Sequence, residues 1–295
     1  TVGSFNTIKN NIEFGTGIIH DKFGIEGRIS RIRSDGFIDR AEANLESYFF
    51  SGTYYGRNSA LKALMFGGKE RTYQAWNGVP IQYLEDNKLR TFNIYSYENE
   101  VDNYMQTHSQ LHYTKEVNKK TNFNIAYHYT HGEGYYEQEK LDQKLADYGL
   151  ENIQLGDTII SRTNLIRRKW LNNNFTGITY SVNHKTKKAK LIVGGSSNRY
   201  EGQHYGNVIW AQYATNGEYN HQYYWNKALK DDHNIFAKLN YQYLNKTTFF
   251  VDMQGRSIEY TFQGYDENKS PSNQKAELFF FNPKFGIQHI INKNQ

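Results

Sequence analysis

Ten histidines invite a metal or catalytic reading. The densest run is "HYTKEVNKKTNFNIAYHYTH", from His112 to His131. If residues 118–121 form a hairpin turn, His112 and His128 fall on one face as cross-strand neighbours, their Cβ atoms about 4.5–5.5 Å apart when directly paired. Two imidazoles are too few for zinc, which usually takes about four ligands, so hydrogen bonding is the expectation and no metal is predicted. "GEG" (132–134) and "GG" (194–195) lack the Lys-Ser/Thr and following helix of a phosphate loop. Inside a strand, such glycines mark bends or close packing. HExxH, CxxC and GxSxG are all absent. The acid pairs Asp231-Asp232 and Glu137/Glu139 read as solvated loop charge, so no catalytic residue is assigned and the chain is not read as an enzyme. Five aromatics near the long-loop ends remain: Trp76, Tyr135, Tyr136, Trp210 and Trp225. They could stack on a ligand or form an interfacial aromatic girdle.

The elements carrying these residues have a period of two. "TNFNIAYHY" sets Phe123, Ile125, Tyr127 and Tyr129 against Asn124, Ala126 and His128. "NIFAKLNYQY" sets Ile235, Ala237, Leu239, Tyr241 and Tyr243 against Lys238, Asn240 and Gln242. Alternation bounded by turn residues argues for strands throughout. In "SDGFIDRAEANLESYFFSGTYYG" (34–56), both faces of the strand after Asn44 are half apolar and rich in tyrosine. A soluble core would demand one clean face. Tyrosine suits both sides of a wall that meets lipid on one face and water on the other, having an apolar body and a polar tip.

Short turns fall near His20-Asp21-Lys22, Gly56-Arg57-Asn58, Asn118-Lys119-Lys120, 184–188 and Asn245-Lys246-Thr247. Long connections lie between them, at about 34–43, 67–102, 134–164, 200–231 and 263–275. Alternating short and long connections put all short turns at one end of an up-and-down meander, as in outer-membrane barrels. "EQEKLDQKLADYGL" (137–150) has helical spacing through Leu141, Leu145 and Tyr148, which predicts a short helix on one loop.

Composition agrees. The 295 residues include 25 Tyr, 18 Phe, 3 Pro and no Cys. Zero cysteine excludes disulfides, thiolate metal sites and cysteine nucleophiles. No window approaches the roughly 18 apolar residues of a membrane helix. The net charge of +5 comes from scattered or turn-like basic residues, so no nucleic-acid partner is expected. No secretion signal is visible at Thr1, which reads as the start of a mature protein or an excised fragment.

The phrases "RISRIRSDGFIDRA", "GKERTYQAWNGVP", "HGEGYYEQ", "LIRRKWLNNNF" and "NRYEGQHYGNVIW" occur in one order. Together they resemble the barrel of TonB-dependent outer-membrane receptors, particularly those of Bacteroidetes-type bacteria, from about Asn11 to Gln295. The resemblance implies an all-β, antiparallel up-and-down transmembrane barrel, of which residues 1–295 are one partial domain of about eleven strands. Family barrels have about 22 strands and an N-terminal plug, so an open, trough-shaped sheet with unpaired first and last strands is expected. The implied function is TonB-energised uptake of a large nutrient, with an iron–siderophore complex ahead of haem, cobalamin or oligosaccharide. The implied partners are outer-membrane lipid, that ligand, and the TonB complex reached through the plug region, which this sequence lacks. The implied location is the bacterial outer membrane, and no cofactor is called for. The alternatives are a plugless diffusion porin, and a secreted β-rich binding protein or carbohydrate-active enzyme.

Overall fold

A computed structural model describes residues 1–86, 88–214, 220–266 and 270–291. The chain climbs and descends a single sheet. Its strands are β1 (Val2–Gly3), β2 (Thr7–Ile19), β3 (Phe23–Ser34), β4 (Ala43–Gly56), β5 (Ser59–Tyr73), β6 (Val101–Asn118) and β7 (Thr121–Lys144). A small hairpin, β8 (Ile153–Leu155) and β9 (Thr158–Ile160), follows. The sheet resumes with β10 (Arg162–Lys185), β11 (Ala189–Ala211), β12 (His221–Leu244), β13 (Thr247–Tyr265) and β14 (Pro271–His289).

Apart from the β8–β9 hairpin, each strand pairs antiparallel with its neighbours in chain order, giving a 12-stranded sheet. The expected eleven strands are the long ones; the twelfth is the two-residue β1. Among the described residues β14 does not pair back to β1 or β2, so the sheet is open. The short turns fall where the sequence put them. At the first, His20 and Asp21 both take positive φ (49° and 54°), as the central residues of a tight turn in which the Lys22 N–H donates to the Ile19 carbonyl.

Three expectations need correction. The strands are longer and the long connections shorter than predicted, with β7, β10 and β12 each running 24 residues. Their upper halves bring polar and charged residues onto both faces, so the apolar alternation weakens while the hydrogen-bonded ladder continues. As a result Glu137, Glu139, Asp231 and Asp232 lie in strands rather than loops. The helix expected over 137–150 is instead strand as far as Lys144, paired to β10, and then one 3-10 turn, Leu145–Tyr148. Lastly, His112 pairs with Ala126 and His128 with Gln110. The turn pairs Asn118 with Thr121, and a one-residue bulge between Glu116 and Asn118 then sets His112 opposite Ala126, so the histidines share a face but sit diagonally, two residues out of register.

Among the described residues no second layer covers this sheet. A compact cluster of buried apolar side chains lies at the long-loop end, where Tyr148, Leu165, Val208 and Tyr223 pack with Leu150, Ala211 and Tyr224. Elsewhere large apolar side chains stand exposed, with Phe279 at 74% and Phe285 at 85%.

Candidate ligand face

Direct cross-strand partners share a face, so the register sorts every side chain. One row runs Leu61, Tyr113, Ile125, Tyr180, Gly195, Ile235, Gly255 and Phe281. Leu239, Tyr241, Val251 and Met253 lie on that same side, with Leu239 opposite Leu191 and Val251. His128, Asn240 and Asp252 occupy the other. The parity expected from sequence therefore holds across the sheet. We call the two sides the apolar face and the polar face.

The polar face is dense in neutral hydrogen-bonding groups. A depression of about 700 Å³ is lined in part by Gln106, His108, His128, Phe175, Asn198 and Tyr200. Its side chains hold one another. His108 Nδ1 lies 2.8 Å from Thr130 Oγ1 and its ring stacks on Phe66 at 4.6 Å. His128 Nε2 is 2.9 Å from Asn198 Oδ1, and Tyr200 donates to Asn173 at 2.7 Å. Gly177 lets this happen: a Cβ there would stand 2.1 Å from Asn198 Oδ1 and 2.8 Å from His128 Nε2. At the margin the Asp232 carboxylate accepts from Arg256 Nε and Nη2. Such a surface can hydrogen-bond and stack. Among the described residues no group of three or more His, Cys, Asp or Glu could hold a metal ion.

Above this face the rim is fixed by a buried carboxylate. Glu137, 1% exposed, accepts from Tyr97 (2.7 Å), Asn99 (2.6 Å) and Arg168 (2.7 Å). Gln74 donates to the carbonyls of Val101 and Glu137, and Asn93 donates to those of Asp39 and Gln74. The connection 74–100 is thereby strapped to the top of the sheet. Burial pushes the Glu100 carboxyl above its ordinary range. Burial, and then the Glu137 carboxylate beside it, push the Tyr97 hydroxyl upward.

The five aromatics singled out in sequence are not one constellation. Trp76 sits edge-on to Tyr136, ring centroids 5.5 Å apart, on the strapped connection and half exposed. Tyr135 and Trp225 belong to the apolar face, in a row running Tyr135, Trp170, Tyr205, Trp225 and Tyr265. Trp170 lies 4.6 Å from Tyr135 and 5.9 Å from Tyr205. Trp210, half exposed, pairs with Ile166 beyond a bulge. The sequence reading missed Trp170, His108, Asn198 and Tyr200. Only strand register shows that they adjoin residues dozens of positions away.

No family model matches the sequence, and no curated protein matches it. Solved structures do. The chain is similar to the ferric-catecholate import receptor Fiu from E. coli K12 in its closed form, with a TM-score of 0.75 and 11% identity, covering 99% of this chain and 47% of that one. It is similar to BauA, the ferric preacinetobactin receptor from Acinetobacter baumannii (TM-score 0.66, 7% identity, 98% and 44%). The alcaligin outer-membrane receptor FauA from Bordetella pertussis gives a TM-score of 0.65 at 10% identity, over 99% and 40%. The chain spans about half the length of the chains it matches. These neighbours are transport receptors, not enzymes. The open, all-antiparallel sheet has the fold of part of the barrel of TonB-dependent outer-membrane receptors.

Proposed function

We propose that this chain forms part of the barrel wall of an outer-membrane receptor that takes up a large nutrient with energy passed by TonB. The observation that carries the reading is the division of one continuous sheet into an apolar face and a polar, hydrogen-bonding face. A strand of 24 residues is about 80 Å long at roughly 3.3 Å per residue, far more than a bilayer crossing needs. The upper half then stands outside the membrane, where its polar face and the strapped rim meet the ligand. An iron–siderophore complex is the proposed ligand, with Trp76, Tyr136 and Trp210 as proposed contacts; Tyr135 and Trp225, on the apolar face, fit the interfacial girdle instead. Their placement supports Trp76 and Tyr136 first, because these two meet at the rim. The test is uptake of radiolabelled ferric siderophores by cells carrying or lacking the gene, with and without a functional TonB. Loss of uptake on deleting either gene is expected. Equal uptake by all strains would refute the siderophore reading.

A further inference from the structure

We propose that the apolar face carries a docking site for the phosphate of an anionic membrane lipid, formed by Arg31, Arg33, Lys69 and Arg71. It rests on the membrane reading above and adds a partner at a defined place. On β3, β4 and β5 the apolar face ascends through Ile25, Gly52 and Ala63 to Ile29, Tyr48 and Gly67. The next row is Arg31, Glu46, Lys69, and the one after is Arg33, Asn44, Arg71. The step from belt to charge is two residues, about 7 Å of strand. That brings the cations to the polar boundary of a bilayer whose hydrocarbon lies against the belt. Within each row the two cations stand two strand spacings apart, about 10 Å, which leaves room for one phosphate among four long side chains.

Charge decides where on the face an anion would settle. The four cations of β3 and β5 face only two carboxylates: Glu46, 3.4 Å from Arg31, and Glu42, 2.8 Å from Arg71. Arg33 and Lys69 are exposed and make no ion pair among the described residues. Across β7 to β14 the continuation of these two rows holds Glu133 and Lys227 as its charged side chains, and Lys227 is paired with Glu201. In the two rows below, Arg199 and Lys275 are outnumbered by Glu201, Asp231, Glu259 and Glu277, and both cations are paired. The apolar belt is continuous, so lipid chains can lie anywhere along it. Within these two rows, among the described residues, only β3–β5 offers an anionic headgroup a surplus of positive charge.

The test uses the protein as isolated from its membrane, in neutral detergent doped with phosphatidic acid, with bound lipid counted by native mass spectrometry. Each cation at a membrane surface contributes about a five-fold factor in binding. The variant R31Q/R33Q/K69Q/R71Q should therefore bind phosphatidic acid at least ten-fold more weakly, while R199Q/K227Q/K275Q binds as the parent does. Phosphatidylcholine adducts should be equal in all three, and inorganic phosphate should not displace the lipid. Equal loss in both variants, or no loss in the first, would overturn the site; so would displacement by inorganic phosphate, which would make it a general anion site. Heat-dependent gel mobility confirms that each variant is folded. A parent protein that stays folded and monodisperse without detergent would overturn the membrane reading, and the lipid site with it.

Discussion

Replacing Glu137 with alanine should release the strapped connection without unfolding the sheet. The carboxylate is 1% exposed and is the shared acceptor for Tyr97, Asn99 and Arg168. A hydrogen bond to a charged group contributes about 1.5–3 kcal/mol. Three such bonds do not sum here, because the Arg168 side chain keeps 31% exposure and water can replace its partner. A net loss of about 3 kcal/mol follows, at the low end of the roughly 3–5 kcal/mol of breaking a fully buried pair. The loss is local, since the strands beneath keep their ladder hydrogen bonds. An opening equilibrium shifted by about 3 kcal/mol changes about 150-fold at 1.4 kcal/mol per decade. Trypsin cleavage at Lys88 and Arg90, both on that connection, reads this population when cleavage is slower than reclosing. Glu137→Ala should therefore be cut about 100-fold faster, and Glu137→Gln, which keeps one acceptor oxygen, about 10-fold faster. Rates within about three-fold of the parent for Glu137→Ala would mean that the carboxylate does not hold the strap, and the reasoning would fail.

The same connection should respond to pH through Glu100. Burial raises its folded pKa above the usual 4.5, so the folded state holds a proton that the open state releases. The sign follows: docking is tightest below 4.5, weakens as pH rises from there through the raised value, and is level above it. Hydrogen exchange of residues 88–100, corrected for intrinsic rate, should speed up over that window, and Glu100→Gln should abolish the trend and slow exchange at neutral pH. The face assignment is tested by arginine substitutions at adjacent positions of β12. Leu239→Arg should cost about 2–4 kcal/mol of folding into vesicles, read by denaturant titration, as for a charge placed on the lipid side of a barrel. Asn240→Arg should cost less than about 1 kcal/mol, and equal costs would refute the assignment.

Much of the architecture is legible in the alternation itself. Ile125, Tyr127 and Tyr129 against Asn124, Ala126 and His128 give strand, face and polarity together, because side chains on a pleated backbone alternate strictly. The turns at Asn118-Lys119-Lys120 and Asn245-Lys246-Thr247 are equally visible. The diagonal placement of His112 and His128 is not. A single bulge near Val117 moves the register, and whether a turn carries a bulge depends on backbone geometry that residue types alone do not dictate. The strand course through Glu137, Glu139 and Lys144 was hidden for another reason. Outside a membrane both faces of a sheet can be polar, and the helical spacing of Leu141, Leu145 and Tyr148 then has no competing apolar signal.

By itself, then, the sequence determined that the chain is an antiparallel meander with one apolar and one polar side. Those properties rest on local alternation and on connection length. Only the tertiary structure decided which residues are neighbours. It put Asn198 beside His128, 70 positions away, and turned Asp231 and Asp232 to opposite faces, one to Arg199 and the other to Arg256. It folded a 27-residue connection back so that Glu137 became a buried acceptor. The reason is that a strand's hydrogen-bonding groups are the same at every position. Register is settled by the whole sheet, through bulges, turns and packing summed across all its strands, and no single segment encodes it.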